Sequence, residues 1–225
     1  MTRCFLNVDA GESPVEPEEL FSLAALANIA CGGHVGDQAS MARAVFRCAK
    51  HGTRVGAHPS YPDRANFGRA SIAMDANALR ATVAEQCTRL RAIAEAHNVR
   101  VLYAKLHGAL YHDANRSLEL ACACLAGACE ALGREITIVG PANGELARAA
   151  SDLAIPYARE GFADRAMRSD GSLIPRSEAG ALIESPSQAA AQARYLRTRV
   201  DTICVHSDTA GAVEIARAVR DELAL

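Results

Sequence analysis

Short apolar runs alternate along this chain with longer stretches in which apolar residues recur every three or four positions. The short runs predict strands at Cys4 to Val8, Asn28 to Cys31, Thr53 to Ala57, Arg100 to Ala104, Glu135 to Val139, Ile155 to Arg159 and Thr202 to Val205. Between most of them the period is helical. Leu79, Val83, Cys87, Leu90 and Ala94 share one face, as do Leu118, Cys122, Leu125, Cys129 and Leu132. A last amphipathic run covers Ala210 to Leu223. Asp75 and Ser117 stand where N-caps belong, and Pro186 follows Ser185 as a first helical residue. The stretch from Arg165 to Arg176 lacks a clear period, with one short extra strand expected at Ser172 to Pro175.

Strands alternating with helices over the whole length imply an α/β protein with a parallel sheet and helical crossovers. Seven strands suit either an open doubly wound sheet or an irregular barrel. No stretch rich in Pro, Gly or Ser divides the 225 residues, so a single domain over 1–225 is expected. Half the residues are hydrophobic but only 4% are aromatic and Trp is absent, which leaves the core to alanine and short aliphatics in closely packed helices. The 24 basic and 26 acidic residues form no basic face, which argues against nucleic acid as a partner. No apolar run is long enough to span a bilayer, and Asn7 and Asp9 interrupt any signal-like start, so a cytoplasmic protein is expected. The eight cysteines include no CxxC pair and read as reduced, mostly buried thiols.

Polar residues follow the strands. Asp9 and Glu12 come after the first, and His34 and Asp37 follow Gly32-Gly33 after the second. His58 and Asp63 follow the third, Lys105 and His107 the fourth, and Asn143 the fifth. Glu160, Asp164 and Arg165 follow the sixth, and His206 and Asp208 the last. In parallel α/β folds these strand ends surround one site. His51 and His97 lie at helix ends and read as solvated, and His112 is ambiguous; the other four of seven histidines hold equivalent positions. Imidazole and carboxylate together suit a divalent metal, with candidate ligands Asp9, His34, His58, His107 and His206, or a general acid–base set. Lys105 and Arg165 are each suited to a substrate carboxylate. Asp37 and Asp208 precede helices, where N-capping competes with a ligand role.

Several signatures are absent from the sequence: HExxH, the phosphate-binding GxxxxGK[ST], a GxGxxG after a strand and the GxSxG nucleophile elbow. The chain therefore has no recognisable nucleotide site of its own.

The segments LNVDAGES, ANIACGGHVGD, VGAHPSYPD with NFGR, KLHGALY, EGFADRAM with DGSLIPR, and ICVHSDTAGAV, in that order, resemble the LamB/YcsF family from Leu6 to Val213. The resemblance implies a distorted seven-stranded (β/α) barrel akin to the glycoside hydrolase/deacetylase superfamily. It implies the role of an A subunit of 5-oxoprolinase: opening of the lactam of 5-oxo-L-proline to L-glutamate, with ATP as co-substrate and B and C subunits as partners. A homo-oligomer is compatible with the sequence, as is a bound divalent metal. The matching motif positions are Asn7, Asp9, Gly11, Glu12, Asn28, Cys31, Gly32, His34, Gly36, Asp37, His58, Pro59, Lys105, His107, Asp164, Arg165, His206 and Asp208. Of these, Asp9, Glu12, His58, Lys105 and His107 are the implied catalytic set. Asn7, Asn28, His34, Asp37, Arg165, His206 and Asp208 are the implied substrate-binding set.

The chain departs from the family pattern at Gly33, Val35, Leu106, Ser207 and Ala210. The loop from Ser13 to Ala27 and the region near Arg199 are short for the family. The polar positions persist while their neighbours vary, so the chemistry is expected to survive. The rival readings are a metal-dependent amide or sugar deacetylase-type hydrolase that needs no ATP, and a small-molecule binding protein without catalysis.

Overall fold

The computed structural model describes residues 4–168, 173–176 and 178–224. Its strands are β1 (Phe5–Ala10), β2 (Leu26–Ala30), β3 (Arg54–His58), β4 (Val101–Lys105), β5 (Thr137–Pro141), β6 (Tyr157–Phe162) and β7 (Thr202–His206). Each pairs in parallel with the next, and β7 returns to pair with β1, closing the barrel. The helices are α1 (Glu19–Leu23), α2 (Gln38–His51), α3 (Ala76–Ala96), α4 (Gly108–Arg116), α5 (Leu118–Leu132), α6 (Glu145–Asp152), α7 (Pro186–Leu196) and α8 (Ala212–Ala224).

Closure fixes the register of the strand ends. Asp9 is opposite Asn28 on one side and His206 on the other, while Ala30 is opposite His58. Alternate residues on each strand point inward. At the bottom, Leu26, Val139 and Ala158 pack with Phe5 and Tyr103 into an apolar plug. Above it the interior turns polar, through Asn7, Asn28, Glu160, Lys105 and Asp9, all buried. Outward-facing Leu6, Val8, Ile29, Val55 and Ile203 join the main core under the helices.

The caps form as the sequence predicts. Asp75 accepts from the backbone N–H groups of Asn77 and Ala78, Ser117 from Leu120, and Ser185 from Gln188 ahead of Pro186. Leu79, Val83, Cys87, Leu90 and Ala94 are all fully buried on α3, and each such leucine or valine contributes about 1.5–3 kcal/mol of burial. The alanine-rich helices approach closely: a side chain at Gly127 of α5 would collide with the Arg80 carbonyl of α3. All eight cysteines are free, with Cys122 and Cys129 half-buried and the rest buried. His51 closes α2 against Glu18, and His97 is the C-cap of α3.

Two expectations change. The strand at Ser172 to Pro175 reduces to one bridge between Leu173 and Met167, next to a second between Arg165 and Leu182; Ser172 itself lies outside the described residues. The strands also begin or end one to three residues from most of their predicted bounds: β1, β3, β4 and β7 run on through Asp9, His58, Lys105 and His206, polar residues that the apolar pattern assigns to the turns. Among the described residues, no helix is long and apolar enough to cross a membrane.

Candidate active site

The polar residues that follow β1 to β4 converge over the barrel mouth. Glu12 and His34 are joined at 3.0 Å between Oε1 and Nε2. The same carboxylate oxygen lies 3.3 Å from His107 Nδ1 and 3.7 Å from His58 Nε2. His34 stacks flat on His107, ring centroids 3.6 Å apart. Phe67 packs edge-on against both rings.

Hydrogen-bond partners assign the tautomers. His58 Nδ1 faces the Lys105 carbonyl at 2.8 Å, and His107 Nε2 faces the Phe67 carbonyl at 2.9 Å. A carbonyl only accepts, so both nitrogens carry hydrogen. His58 Nε2 and His107 Nδ1 are then left facing each other at 3.0 Å. Two lone pairs at that distance need a cation between them, either a shared proton or a metal. Burial opposes charge on His58, but Asp9, 3.4 Å from Nε2, outweighs it and raises its proton affinity. Burial and the His58 charge together lower that of His107. The shared proton therefore sits on His58. His34, pushed down to about 4 mainly by burial, is neutral and donates from Nε2 to Glu12.

Deeper in the barrel, Lys105 Nζ bridges Asp9 at 2.8 Å and Glu160 at 2.9 Å, with Cys204 Sγ at 3.1 Å. Burial disfavours the ammonium, but Asp9, Cys204 and Glu160 outweigh it and hold the lysine charged. Burial likewise works against Asp9, and His58 and Lys105 overcome it, keeping the carboxyl well below its usual range. Burial raises Glu160, with Lys105 opposing. Glu12 is held ionised against burial by the histidines around it, His107, His34 and His58, with His34 Nε2 donating to it.

Asn7 and Asn28 form the floor. Asn28 Nδ2 lies 2.8 Å from Asn7 Oδ1 and 3.0 Å from Asp9 Oδ1, and Asn7 Nδ2 donates to Thr202. On the opposite wall, Asp164 accepts from His206 N at 2.8 Å, His206 Nδ1 at 2.9 Å and Thr209 Oγ1 at 2.7 Å. That fixes His206 with Nε2 turned toward Asp9, 3.8 Å away.

The structure thus brings together Asn7, Asp9, Glu12, Asn28, His34, His58, Lys105, His107 and His206. Arg165 and Asp208 lie on the loops beyond β6 and β7. Asp37 stays outside the cluster. It is the exposed N-cap of α2, in a reciprocal bond pair with Ser40, and the capping reading prevails there. Lys105 is enclosed by two carboxylates, so it is not free for a substrate carboxylate. Glu160, already named among the strand-end residues, and Cys204, which was not, complete its surroundings. The signal for Cys204 was its place on the inward face, two residues before His206.

Among the described residues, two groups have donor atoms within 4.8 Å of one another: Glu12 with His34, His58 and His107, and Asp9 with Cys204 and His206. The first fits a divalent cation by its donors. Two imidazole nitrogens whose other N–H is already committed, plus a carboxylate oxygen, are ligands zinc accepts.

A sequence model described as the LamB/YcsF family matches residues 5–225. A protein of Methylococcus capsulatus, named as the A subunit of 5-oxoprolinase, is 40% identical over 97% of this chain and 91% of its own length. The crystal structure of the lactam utilization protein from Thermus thermophilus superposes with a TM-score of 0.89 at 33% identity, covering 99% of this chain and 96% of that one. A family 4 carbohydrate esterase from Streptomyces lividans shares the fold at TM-score 0.52 and 13% identity, over 99% of this chain and 88% of the esterase. The closed barrel expected from the motifs is the one observed, and this chain belongs to the LamB/YcsF family.

Proposed function

We propose that this chain is the A subunit of a 5-oxoprolinase, a hydrolase that opens the lactam of 5-oxo-L-proline to L-glutamate at the expense of ATP. The observation that carries the reading is the 40% identity, across nearly the whole chain, to a relative bearing that name. In this reading residues 1–225 act as one barrel domain in the cytoplasm, with B and C subunits as partners that handle ATP.

A five-membered lactam is a stable amide. Transfer of the γ-phosphoryl group of ATP to the lactam oxygen releases ADP and makes the ring carbon electrophilic. Water then adds at that carbon, the C–N bond breaks, and the ring nitrogen leaves with a proton. The acyl phosphate so formed is hydrolysed by a second water to the carboxylate and inorganic phosphate.

The cluster over the barrel supplies the proton transfers. Glu12, held ionised in a dry site, is the base for the attacking water. His58, charged and braced by Asp9, is the acid for the ring nitrogen. His107 stands 3.3 Å from Glu12 and 3.0 Å from His58 and links them. Lys105 acts through Asp9, whose charge it holds, and Asn7 and Asn28 orient the same carboxylate. His34 orients Glu12, His206 faces the substrate from the far wall, and Arg165 takes the anionic end of the substrate at the mouth, where Asp208 positions the neighbouring arginines. Asp37, at the helix cap, supports the loop that carries His34. A divalent cation, if held by Glu12, His58 and His107, would supply positive charge to polarise the reacting oxygen.

The test is glutamate release from 5-oxoproline by the chain with its B and C partners, with ATP present or omitted. Release that needs both ATP and partners supports the reading. Turnover of an amide or acetylated compound without ATP would support the deacetylase-type reading instead, which the metal-compatible cluster of Glu12, His34, His58 and His107 favours.

A further inference from the structure

Two arginines meet at one carboxylate on the rim of the barrel, and a third, Arg165, stands near them. Arg69 Nη2 and Arg176 Nη1 both reach Asp208 Oδ2, at 3.0 and 2.8 Å. Arg165 stands in the same field: burial, Arg176 and Arg69 all press against its charge, and Asp164 and Asp208 support it. It is buried, with only 7% of its surface exposed. Its Nη2 donates to the Ile174 carbonyl at 2.7 Å, and its Nε has no hydrogen-bond partner. A buried guanidinium N–H without an acceptor is costly and points to an acceptor supplied from outside.

The three side chains come from two loops, Arg69 from the one between β3 and α3 and the other two from the one after β6, and two of the three are tied to the catalytic cluster. Arg69 follows Gly68 and lies 4.8 Å over the Phe67 ring, and the Phe67 carbonyl is the acceptor for His107. Arg165 follows Asp164, the residue that fixes His206. Arg176 reaches in from the loop beyond β6. Arg69 and Arg176 lie in the motif stretches NFGR and DGSLIPR, and the proton chemistry above uses neither.

We propose that Arg69, Arg165 and Arg176 form a binding site for a dianionic tetrahedral phosphate or phosphoryl group at the barrel mouth, with Asp208 holding Arg69 and Arg176 in place. Charge selects the ligand. Among the described residues, Asp208 is the one carboxylate ion-paired with these three guanidinium groups, and Asp164 is committed to His206; a phosphate dianion balances the two remaining charges, whereas a monocarboxylate leaves one uncompensated. Guanidinium forks also match phosphate oxygens in shape. This inference rests on the function proposed above for the source of the group. A phosphorylated lactam or acyl phosphate would seat its phosphoryl group here while its carbon faces Glu12 and His58, and inorganic phosphate would leave from the same place.

The chain alone, without ATP or partners, is titrated with inorganic phosphate at constant ionic strength and followed by calorimetry. Saturable binding is expected, weakened at least tenfold in Arg69→Gln and in Arg176→Gln. Both side chains are partly exposed, and circular dichroism checks that the variants stay folded. Asp208→Asn, which keeps an oxygen acceptor for Arg69 and Arg176 but removes the negative charge, should bind phosphate at least as tightly as wild type. Sulfate should compete, and acetate at equal ionic strength should not. Phosphate binding no better than chloride, or equal in wild type and both arginine variants, would overturn the proposal.

A second arm uses the assembled enzyme. Inhibition of glutamate release by phosphate that weakens in Arg69→Gln identifies the phosphorylated substrate as the occupant. Binding to the chain without such inhibition identifies free phosphate. Phosphate binding together with no glutamate release under any condition would sink the 5-oxoprolinase reading and leave the anion site standing.

Discussion

His58 Nε2 and His107 Nδ1 face each other at 3.0 Å while the opposite nitrogen of each ring donates to a backbone carbonyl. Neither ring can turn without breaking that bond inside a buried site, so the pair is held with its lone pairs opposed and a cation shared between them. Glu12 and Asp9 flank the shared position, 3.3 Å from His107 and 3.4 Å from His58. In the proposed mechanism this pair moves a proton, and its two halves should fail together. His58→Ala and His107→Ala are each expected to lower glutamate formation by at least ~10²-fold, the usual contribution of positioned acid–base groups. The double variant should be little worse than either single one, because residues that act as a unit are not additive. Additive losses, measured with matched circular dichroism, would show that the two rings work independently.

Lys105 is the cation between two buried carboxylates, Asp9 and Glu160. Removing it leaves two like charges facing each other in the barrel. Lys105→Met is therefore expected to cost about 3–5 kcal/mol of stability, as for a buried pair broken on one side. Glu160→Gln leaves the Lys105–Asp9 pair intact and should cost less. The double variant should recover part of the Lys105→Met loss. Urea unfolding midpoints of the three proteins check the order, and a Lys105→Met protein as stable as wild type would refute the charge argument.

The alternation of strands and helices was plain in the sequence, because Val, Ile and Ala runs differ in period from the faces of α3 and α5. Closure was not. The pairing of Asp9 with His206 joins residues nearly two hundred positions apart, and strand alternation is the same in an open sheet. The family motifs pointed to it instead. The histidines at the strand ends were legible for the same topological reason as Asp9 and Glu12. Asp37 stood open in the sequence because a cap and a ligand place the same residue type before a helix, and the structure shows the cap. The enclosure of Lys105 was not legible, because it depends on Glu160 and Cys204 facing it from β6 and β7. Arg69 and Arg176 gave no periodic signal at all: they lie in loops, and their common partner, Asp208, is brought to them by the fold.

Gly68 sets the spacing of the histidine stack. It has φ +65°, and a Cβ there would lie 2.9 Å from His34 Cβ and 3.0 Å from His107 Cδ2. Left-handed backbone costs a residue with a side chain roughly 1–2 kcal/mol, and the added methyl must push one ring aside. Gly68→Ala is expected to lower kcat by about 10²-fold, the scale of a 1 Å misplacement, while the protein stays folded. Steady-state rates with thermal melting check it. Full activity would mean that the stacked rings of His34 and His107 have room to shift.

Asp201 gives a pH signature remote from the site. Its carboxylate accepts from Arg159 N, Nε and Nη2, each at 2.9 Å, and its own N–H returns to the Arg159 carbonyl. These bonds, led by the guanidinium, hold its pKa below the usual carboxylate value. A group whose pKa falls on folding stabilises the protein above its unfolded pKa, near 3.9, and loses that contribution as pH drops through the folded value. Both side chains are partly exposed, at 48% for Arg159 and 33% for Asp201, so solvent screening limits the effect to about 1 kcal/mol or less. Asp201→Asn should therefore be slightly less stable than wild type at pH 7, with the gap closing below about pH 4 as the wild-type carboxylate takes up its proton. Unfolding midpoints at the two pH values test this. A gap that persists unchanged into acid would assign the contribution to hydrogen-bond geometry, which asparagine alters at every pH, and not to the charge.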